Sequence, residues 1–520
     1  MQHLVPRRLP LLIFFLSLTA GAQARSACLA LHNLKIKGVV ITRVWHLAAG
    51  ARVPTSFPPY HGRLPAQCLV KGVIHPRKGV GGQEFGIGFA LALPLRHNWN
   101  GEFMMQGGAG GNGILFYPAG ASYAGKRPAL NRGFAVASTD SGHRAKTGLF
   151  DFSFTRDQQA YLDFAYLANA EVAGVAKHII RIYYTRPARY SYFIGCSTGG
   201  REAMILSQRY PGVFNGIVAG DPAIRTGFSN LAISRWIPAA YNAVAPKNAA
   251  GQPEIGKLLT LAQRRLFIHA LLRQCDGLDG LKDGMIMNPL ACHFDPSVLA
   301  CHAGQTRHCI APAVIAAIKK AFGGPRLPDG TQVYPGFLFD TGITATQGIP
   351  GLLALGTHGI FGPYPTATRL DVAKLALRAS QPLADATATN LSTFSADGGK
   401  LIFFHGDSDP WFSPLDTLHY YQSMAAANGG LKKVEHWSRL FLVPGMSHCG
   451  GGPSLDQFDM LTAIDHWVRN GTAPRRIIAT GRAFPGRSRP LCPYPLHAQY
   501  RGKGNPQNAA SFACIAGDRR

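Results

Sequence analysis

The chain has 520 residues, 46% of them hydrophobic and 15% charged. That composition can fill more than one hydrophobic core and excludes a disordered chain. The formal charge is +26, but lysine and arginine fall singly or in pairs, with no nucleic-acid motif, so no nucleic-acid partner is expected and the charge reads as a general pull on anionic groups.

Arg7 and Arg8, the apolar run Leu11 to Leu18 and the small residues Ala22-Gln23-Ala24 follow in the order of a secretory signal peptide. Residues 1–24 are therefore expected to direct export to a secreted or periplasmic location. The run is too short to span a bilayer, and no later stretch reaches the length of a membrane span. All ten cysteines lie beyond Ala24. An oxidising compartment would join them into five disulfides.

Further along, Glu84 to Leu93, Glu102 to Met105 and Gly133 to Ser138 read as strands. Gln158 to Tyr184 repeats apolar residues at spacings of three and four and reads as one long helix. Strand Tyr190 to Ile194 ends at Gly195, helix Thr198 to Arg209 stops at Pro211, and Gly216 to Ala219 is a further strand. Such alternation implies a mostly parallel sheet covered by helices on both faces. The pattern breaks after Pro222. Residues to about Ala396 are rich in Gly, Pro and Cys, with short helices such as Ile255 to Leu272 and Pro312 to Ala321. Strands resume at Lys400 to Phe404 and Arg439 to Val443, and Ser454 to Asn470 reads as a helix with a serine cap. The expected architecture is an α/β core in two segments, 25–222 and 397–520, with an inserted lid at 223–396.

Gly195-Cys196-Ser197-Thr198-Gly199 matches G-x-S-x-G. An apolar strand precedes it and a helical pattern follows, the context in which a sharp turn exposes a nucleophilic serine. The helix N-terminus also brings backbone N–H groups close to a developing oxyanion. A serine nucleophile needs a base and a group to orient that base. In the fold that uses this turn, the α/β-hydrolase fold, the order is Ser, then Asp or Glu, then His. The second core segment supplies both partners in loops just past strands: His405-Gly406-Asp407-Ser408-Asp409-Pro410 and Pro444-Gly445-Met446-Ser447-His448-Cys449. His448 is the best base among 19 histidines. Asp409 and Asp407 compete for the acid, Asp407 having the alternative of capping its loop through backbone N–H groups. His405 reads as structural. Cys196 directly precedes the nucleophile and Cys449 directly follows the base. A bond between them would tie the two loops together and contribute about 5 kcal/mol in the chain-entropy model, less any strain.

These residues resemble the tannase and feruloyl esterase family, whose members include feruloyl esterases, tannases and MHETase-type hydrolases of terephthalate monoesters. The family is marked by a Cys-Ser pair, an Asp and a His-Cys pair with the two cysteines bonded, here Cys196-Ser197, Asp409 and His448-Cys449. The resemblance selects Asp409 over Asp407. It extends to Gly133-Phe134-Ala135-Val136-Ala137-Ser138-Thr139-Asp140 and to the glycine-rich stretch Gly107 to Gly113, and so covers nearly the whole mature chain. It implies an α/β-hydrolase fold with a large lid.

In that fold the oxyanion donors are the N–H of the residue after the nucleophile, Thr198, and one from the glycine-rich loop, assigned to Gly110. Trp411 and Phe412, just past Asp409, are candidates for an aromatic acyl pocket. Asp276, Asp279 and Asp283 crowd one glycine-rich loop after Cys275. Taken alone, they read as a solvated acidic turn. The resemblance implies a structural calcium there, with the carbonyls of Leu281 and Met285 completing the oxygen ligands. It also implies the pairs Cys28–Cys68, Cys275–Cys292, Cys301–Cys309 and Cys492–Cys514, the last two of which nearness alone would suggest. An additional bridge of fungal members is missing, which favours the bacterial branch.

The expected function is hydrolysis of a small aromatic acyl ester, of hydroxycinnamate or gallate type, through an acyl-enzyme. One alternative is hydrolysis of a terephthalate monoester. Another, of a different class, is a non-catalytic binder of aromatic or cell-wall esters. Nothing in the sequence sets an oligomeric state.

Overall fold

The computed structural model describes residues 23–52, 60–356, 358–359 and 362–517. The signal segment expected at 1–24 thus lies outside the described residues except for its last two positions. Nine strands form one sheet. In chain order they are β1 (Val39–Leu47), β2 (Gln67–Lys78), β3 (Glu84–Pro94), β4 (Glu102–Gln106), β5 (Ala135–Thr139), β6 (Tyr190–Cys196), β7 (Gly216–Gly220), β8 (Lys400–Gly406) and β9 (Ser438–Val443). Their spatial order is β1-β2-β3-β5-β4-β6-β7-β8-β9. The strands from β5 to β9 run parallel, and β1 to β3 add an antiparallel flank. That arrangement is the α/β-hydrolase fold expected from the motif context.

Alternation along the central strands sorts their side chains into two layers. Phe193, Leu401 and Phe403 face a layer filled by helix α1 (Ala168–Tyr184), helix α2 (Thr198–Arg209) and helix α5 (Pro414–Ala427). Tyr192, Ile194, Ile402 and Phe404 face the other, filled by helix α6 (Met460–Asn470) and by two C-terminal hairpins. Apolar residues on both faces explain why these strands read as near-continuous hydrophobic runs. A third core lies within the inserted segment. There helix α3 (Leu261–Cys275) supplies Phe267 and Leu271, and helix α4 (Pro312–Phe322) supplies Ile315 and Ile318. Near the end of the insert, Ala386, Leu391 and Phe394 pack into the first sheet layer.

The structure corrects several details, among them the helix expected at Ile255 to Leu272, which runs from Leu261 to Cys275 behind a Thr260 cap. β1 and β2 were not anticipated; β1 is an edge strand whose residues are at most half-buried, so its pattern stands out little. The stretch Gln158 to Tyr184 is helical but not uniform, since a π-helical turn at Asp163–Leu167 separates Gln158–Leu162 from α1. The helix expected from Ser454 begins at Met460. Asp459 caps it by accepting the N–H of Thr462, whereas the Ser454 hydroxyl turns back to donate to the Gly451 carbonyl. Among the described residues no helix is long and apolar enough to cross a membrane.

Candidate active site

β6 ends at Cys196 and α2 begins at Thr198, so Ser197 alone turns the chain. It does so at φ 64° and ψ −123°, a conformation that a residue with a side chain holds only when its surroundings enforce it. The Ser197 N–H donates to the Gly220 carbonyl at 3.0 Å, and its own carbonyl accepts from the N–H groups of Arg201 and Ala223 at 3.0 and 3.3 Å. The motif glycines are required by contact. A Cβ on Gly195 would stand 2.4 Å from the Gly199 carbonyl oxygen, and one on Gly199 would stand 2.8 Å from that of Gly108.

The pairing of β6, β7, β8 and β9 aligns their carboxyl ends, with Cys196 opposite Gly220, Phe404 opposite Gly220 and Gly406 opposite Val443. The loops carrying Ser197, Asp409 and His448 therefore leave the same edge of the sheet. Asp409 Oδ2 stands 2.7 Å from His448 Nδ1, and both groups are buried. Its Oδ1 accepts the N–H groups of Trp411 at 2.7 Å and Phe412 at 3.1 Å. Burial opposes the charged form of Asp409, but His448 and His405 outweigh it and hold the carboxyl below the usual carboxylate range. Asp407 differs. Both its oxygens are buried without a hydrogen-bond partner among the described residues, and burial, with Asp340 and Asp221 nearby, pushes its carboxyl well above that range. The loop cap foreseen for Asp407 is not made. His405 is wholly buried and bonds Thr417 Oγ1 at 2.8 Å and the Phe412 carbonyl at 3.0 Å.

Cys196 and Cys449 form a disulfide across 253 residues, their Cα atoms 6.1 Å apart. The other four bridges join Cys28–Cys68, Cys275–Cys292, Cys301–Cys309 and Cys492–Cys514, as the resemblance implied. A residue that sequence reasoning missed reinforces the first link. Asp221, at the end of β7, is fully buried. Its Oδ1 accepts the N–H of Gly406 at 2.8 Å and its Oδ2 that of Cys449. Burial pushes its carboxyl above the usual range. Its only sequence signal was a carboxylate one residue past a strand, on the edge where the other site loops begin.

Ser197 opens onto a cavity of about 520 Å³. Thr198, Gly110, Trp411 and Phe412 line it, so the structure brings the expected oxyanion and pocket residues together at the serine. The Thr198 hydroxyl donates to the Gly110 carbonyl. The rings of Trp411 and Phe412 lie 4.6 and 5.2 Å from the His448 ring. Phe150, Phe152, Tyr161 and Phe164 add aromatic wall, and the inserted segment closes the far side with Asn230, Arg235, Leu375 and Arg378. Arg235 and Arg378 are exposed at this wall and make no ion pair among the described residues.

In the acidic loop, Asp276 Oδ1 accepts N–H groups from Asp283, Gly284 and Met285 at 3.1–3.2 Å. Asp279 Oδ1 accepts that of Leu281 at 3.1 Å. Asp283 pairs with the buried Arg489. Asp279 Oδ2 and Asp283 Oδ1 are buried with no hydrogen-bond partner among the described residues. Burial, with Asp283 and Asp276 beside it, pushes the Asp279 carboxyl up to about 7. Asp279 and Asp283 each keep one buried oxygen of the kind a hard cation takes, but the oxygens of Asp276 are taken by backbone donors and the three carboxylates do not gather within 4.8 Å of one another.

A family model described as "Tannase and feruloyl esterase" matches residues 68–358 and 364–515. The mono(2-hydroxyethyl) terephthalate hydrolase of Piscinibacter sakaiensis is 36% identical, over 92% of this chain and 88% of that protein. A probable feruloyl esterase of Arthroderma benhamiae is 31% identical, over 81% of each chain. The crystal structure of feruloyl esterase B from Aspergillus oryzae superposes with a TM-score of 0.76 at 24% identity, covering 95% of this chain and 100% of the other.

Proposed function

We propose that this chain, which belongs to the tannase and feruloyl esterase family and is a carboxylic ester hydrolase, cleaves esters of aromatic acids through an acyl-enzyme on Ser197. His448 takes the proton from Ser197 Oγ as that oxygen attacks the ester carbonyl carbon. The carbonyl oxygen becomes an oxyanion at the backbone N–H groups of Thr198 and Gly110. Asp409 orients His448 and stabilises its cation. The cation then gives its proton to the leaving alcohol as the ester C–O bond breaks. Water, deprotonated by His448, releases the acid and restores Ser197. The acyl ring lies against Trp411 and Phe412.

One observation carries this reading: a buried Asp409–His448 pair at 2.7 Å, whose next residue is cross-linked to the residue before Ser197. A fluorophosphonate probe is expected to label wild-type protein at Ser197 and not a Ser197→Ala variant, whose turnover should fall on the order of 10⁶-fold. Full activity in a clean Ser197→Ala preparation removes the nucleophile assignment, whereas wild-type protein that neither takes the probe nor turns over an ester is a non-catalytic binder. Hydrolysis rates on methyl ferulate, methyl gallate and a terephthalate monoester rank the acyl groups. The last of these is a second reading, supported by Arg235 and Arg378 in the lid wall, whose charges suit a substrate carboxylate.

Two further assignments accompany the enzyme. Calcium is proposed as a structural ion held by Asp276, Asp279, Asp283 and the carbonyls of Leu281 and Met285. It would neutralise the loop and take no part in the ester chemistry. Export to a secreted or periplasmic location is proposed from the signal segment, and five disulfides support it.

A further inference from the structure

Glu202 lies on α2, five residues past the nucleophile, and is 2% exposed. Among the described residues it makes no ion pair. Its neighbour Arg201 spends its guanidinium on the carbonyls of Phe164, Ala165 and Ala384. A buried carboxylate with no cation must be compensated by hydrogen-bond donors. Glu202 finds three. Its Oε2 accepts the Gly108 N–H at 3.0 Å, and its Oε1 accepts Asn112 Nδ2 at 2.5 Å and the Ser141 hydroxyl at 3.3 Å.

Gly108 and Asn112 bracket Gly110 in the loop beside Ser197, and Ser141 follows β5. Asn112 and Ser141 both hold positive φ, 55° and 63°, conformations that persist only where surrounding bonds enforce them. A Cβ on Gly108 would stand 2.4 Å from Asn112 Oδ1, and one on Gly107 2.8 Å from the Gly199 Cα. The loop therefore rides directly on the nucleophile helix, with the Glu202 charge as its anchor. If the loop withdrew, Glu202 would lose two of its three donors and keep only the Ser141 hydroxyl and the field of the neighbouring Arg201. Charge and loop hold each other in place.

We infer that Glu202 is a positioning residue for the oxyanion site, fixing the loop that carries Gly110 at a set distance from Ser197. The inference rests on the assignment of Ser197 and Gly110 above. Its predicted signature is loss of transition-state stabilisation without loss of ground-state binding, because the loop N–H meets full negative charge only after attack.

The test is Glu202→Gln, which keeps the shape but offers one acceptor oxygen and an NH2 group where three donors converge. The variant is expected to lose about 10- to 100-fold in kcat on methyl ferulate, the scale of small misplacements at a reacting centre, with KM within about twofold. An arylboronic acid, which adds to a serine as a tetrahedral anion, should bind more weakly by the same factor as the loss in kcat/KM. A kcat within twofold of wild type, or a kcat loss without the matching boronate loss, overturns the inference. If Glu202→Gln does not fold, Ser141→Ala removes one donor and should show the same paired loss at about threefold to tenfold; no paired loss there is equally fatal. Fluorophosphonate labelling of wild type at Ser197 separates the two levels. Without that labelling the nucleophile assignment fails and this inference falls with it. With labelling, the boronate and kcat results judge Glu202 alone.

Discussion

The two ends of the substrate cavity are built by different means. At the sheet end, Ser197, Asp409 and His448 leave strands bonded side by side, and their loops are locked by the Cys196–Cys449 bridge and by both oxygens of Asp221. At the lid end, the wall comes from the helical segments Thr226–Leu231, Ala232–Trp236 and Val372–Ala379. The two lid disulfides, Cys275–Cys292 and Cys301–Cys309, both close within the insert. The sheet end is thus fixed by covalent and hydrogen bonds, while the lid end carries exposed arginines and apolar side chains with no bond to the serine, acid or base loops among those described. Geometry that must hold to fractions of an ångström is fastened twice, by a disulfide and by a buried carboxylate.

The sharpest way to break this comparison is at the acid. Asp409→Asn leaves the loop donors in place but removes the charge facing His448, and is expected to lower kcat about 10⁴-fold, as when a triad histidine is left in the wrong tautomer. Asp407→Asn should cost less than about tenfold, because neither Asp407 oxygen is bonded among the described residues and burial already favours its neutral form. Steady-state kinetics on methyl ferulate rank the pair. The reverse order moves the acid to Asp407.

Next in size is the bridge. With Cys196→Ala and Cys449→Ala combined, Asp221 still bonds the backbone of both His-side loops, so the protein should fold. Turnover should nevertheless fall about 10²-fold, since Ser197 and His448 lose the link that sets their separation. Near-normal kcat with only a lowered thermal midpoint would falsify the idea that the bridge serves geometry, leaving it a stabiliser.

What was legible in the sequence follows the same division. Ser197 and His448 each sit in a short loop just past an apolar strand, a signature the sequence itself carries, whereas Asp407 and Asp409 share one such loop and only the family resemblance selected Asp409. Asp221 and Glu202 do not read out, because their meaning lies in partners 185 and 94 residues away, Gly406 and Gly108. Ser454 and Asp459 are both cap-forming residue types, and only the fold decides that Asp459 takes the role. A helical period over Gln158 to Tyr184 cannot reveal a single π turn, since one extra residue barely shifts the apolar stripe. The lid wall was the least legible region. Arg235 and Arg378 stand 143 positions apart and come together only as lining of one cavity.

That wall gives a smaller, selective effect. Arg235→Ala and Arg378→Ala are expected to raise KM for a terephthalate monoester about fivefold each, the scale of an exposed ion pair worth about 1 kcal/mol. Hydrolysis of uncharged methyl ferulate should be unchanged within twofold. Equal losses on both substrates would mean that the arginines shape the wall and do not read charge.

The smallest effect belongs to the acidic loop, none of whose residues lines the cavity. Three carboxylates within residues 276–283 leave two buried oxygens, one on Asp279 and one on Asp283, without a donor. Arg489 offsets part of the charge through Asp283, so the loop holds together without a metal and the ion adds to a fold that already stands. A ligand that binds only the folded chain at 100 times its Kd stabilises it by about 2.7 kcal/mol. Unfolding entropy of about 2.1 cal/mol/K per residue gives roughly 1 kcal/mol/K for a chain of this length, so a chelator should lower the midpoint by about 3 °C. Calcium should restore it and magnesium should not, because magnesium demands a tighter octahedral shell and dehydrates reluctantly. Kinetics on methyl ferulate at 25 °C should stay within twofold throughout, since the ion touches no reacting group. A midpoint indifferent to both chelator and calcium, in protein that metal analysis finds calcium-free, would leave the loop to Arg487, Arg489 and backbone donors.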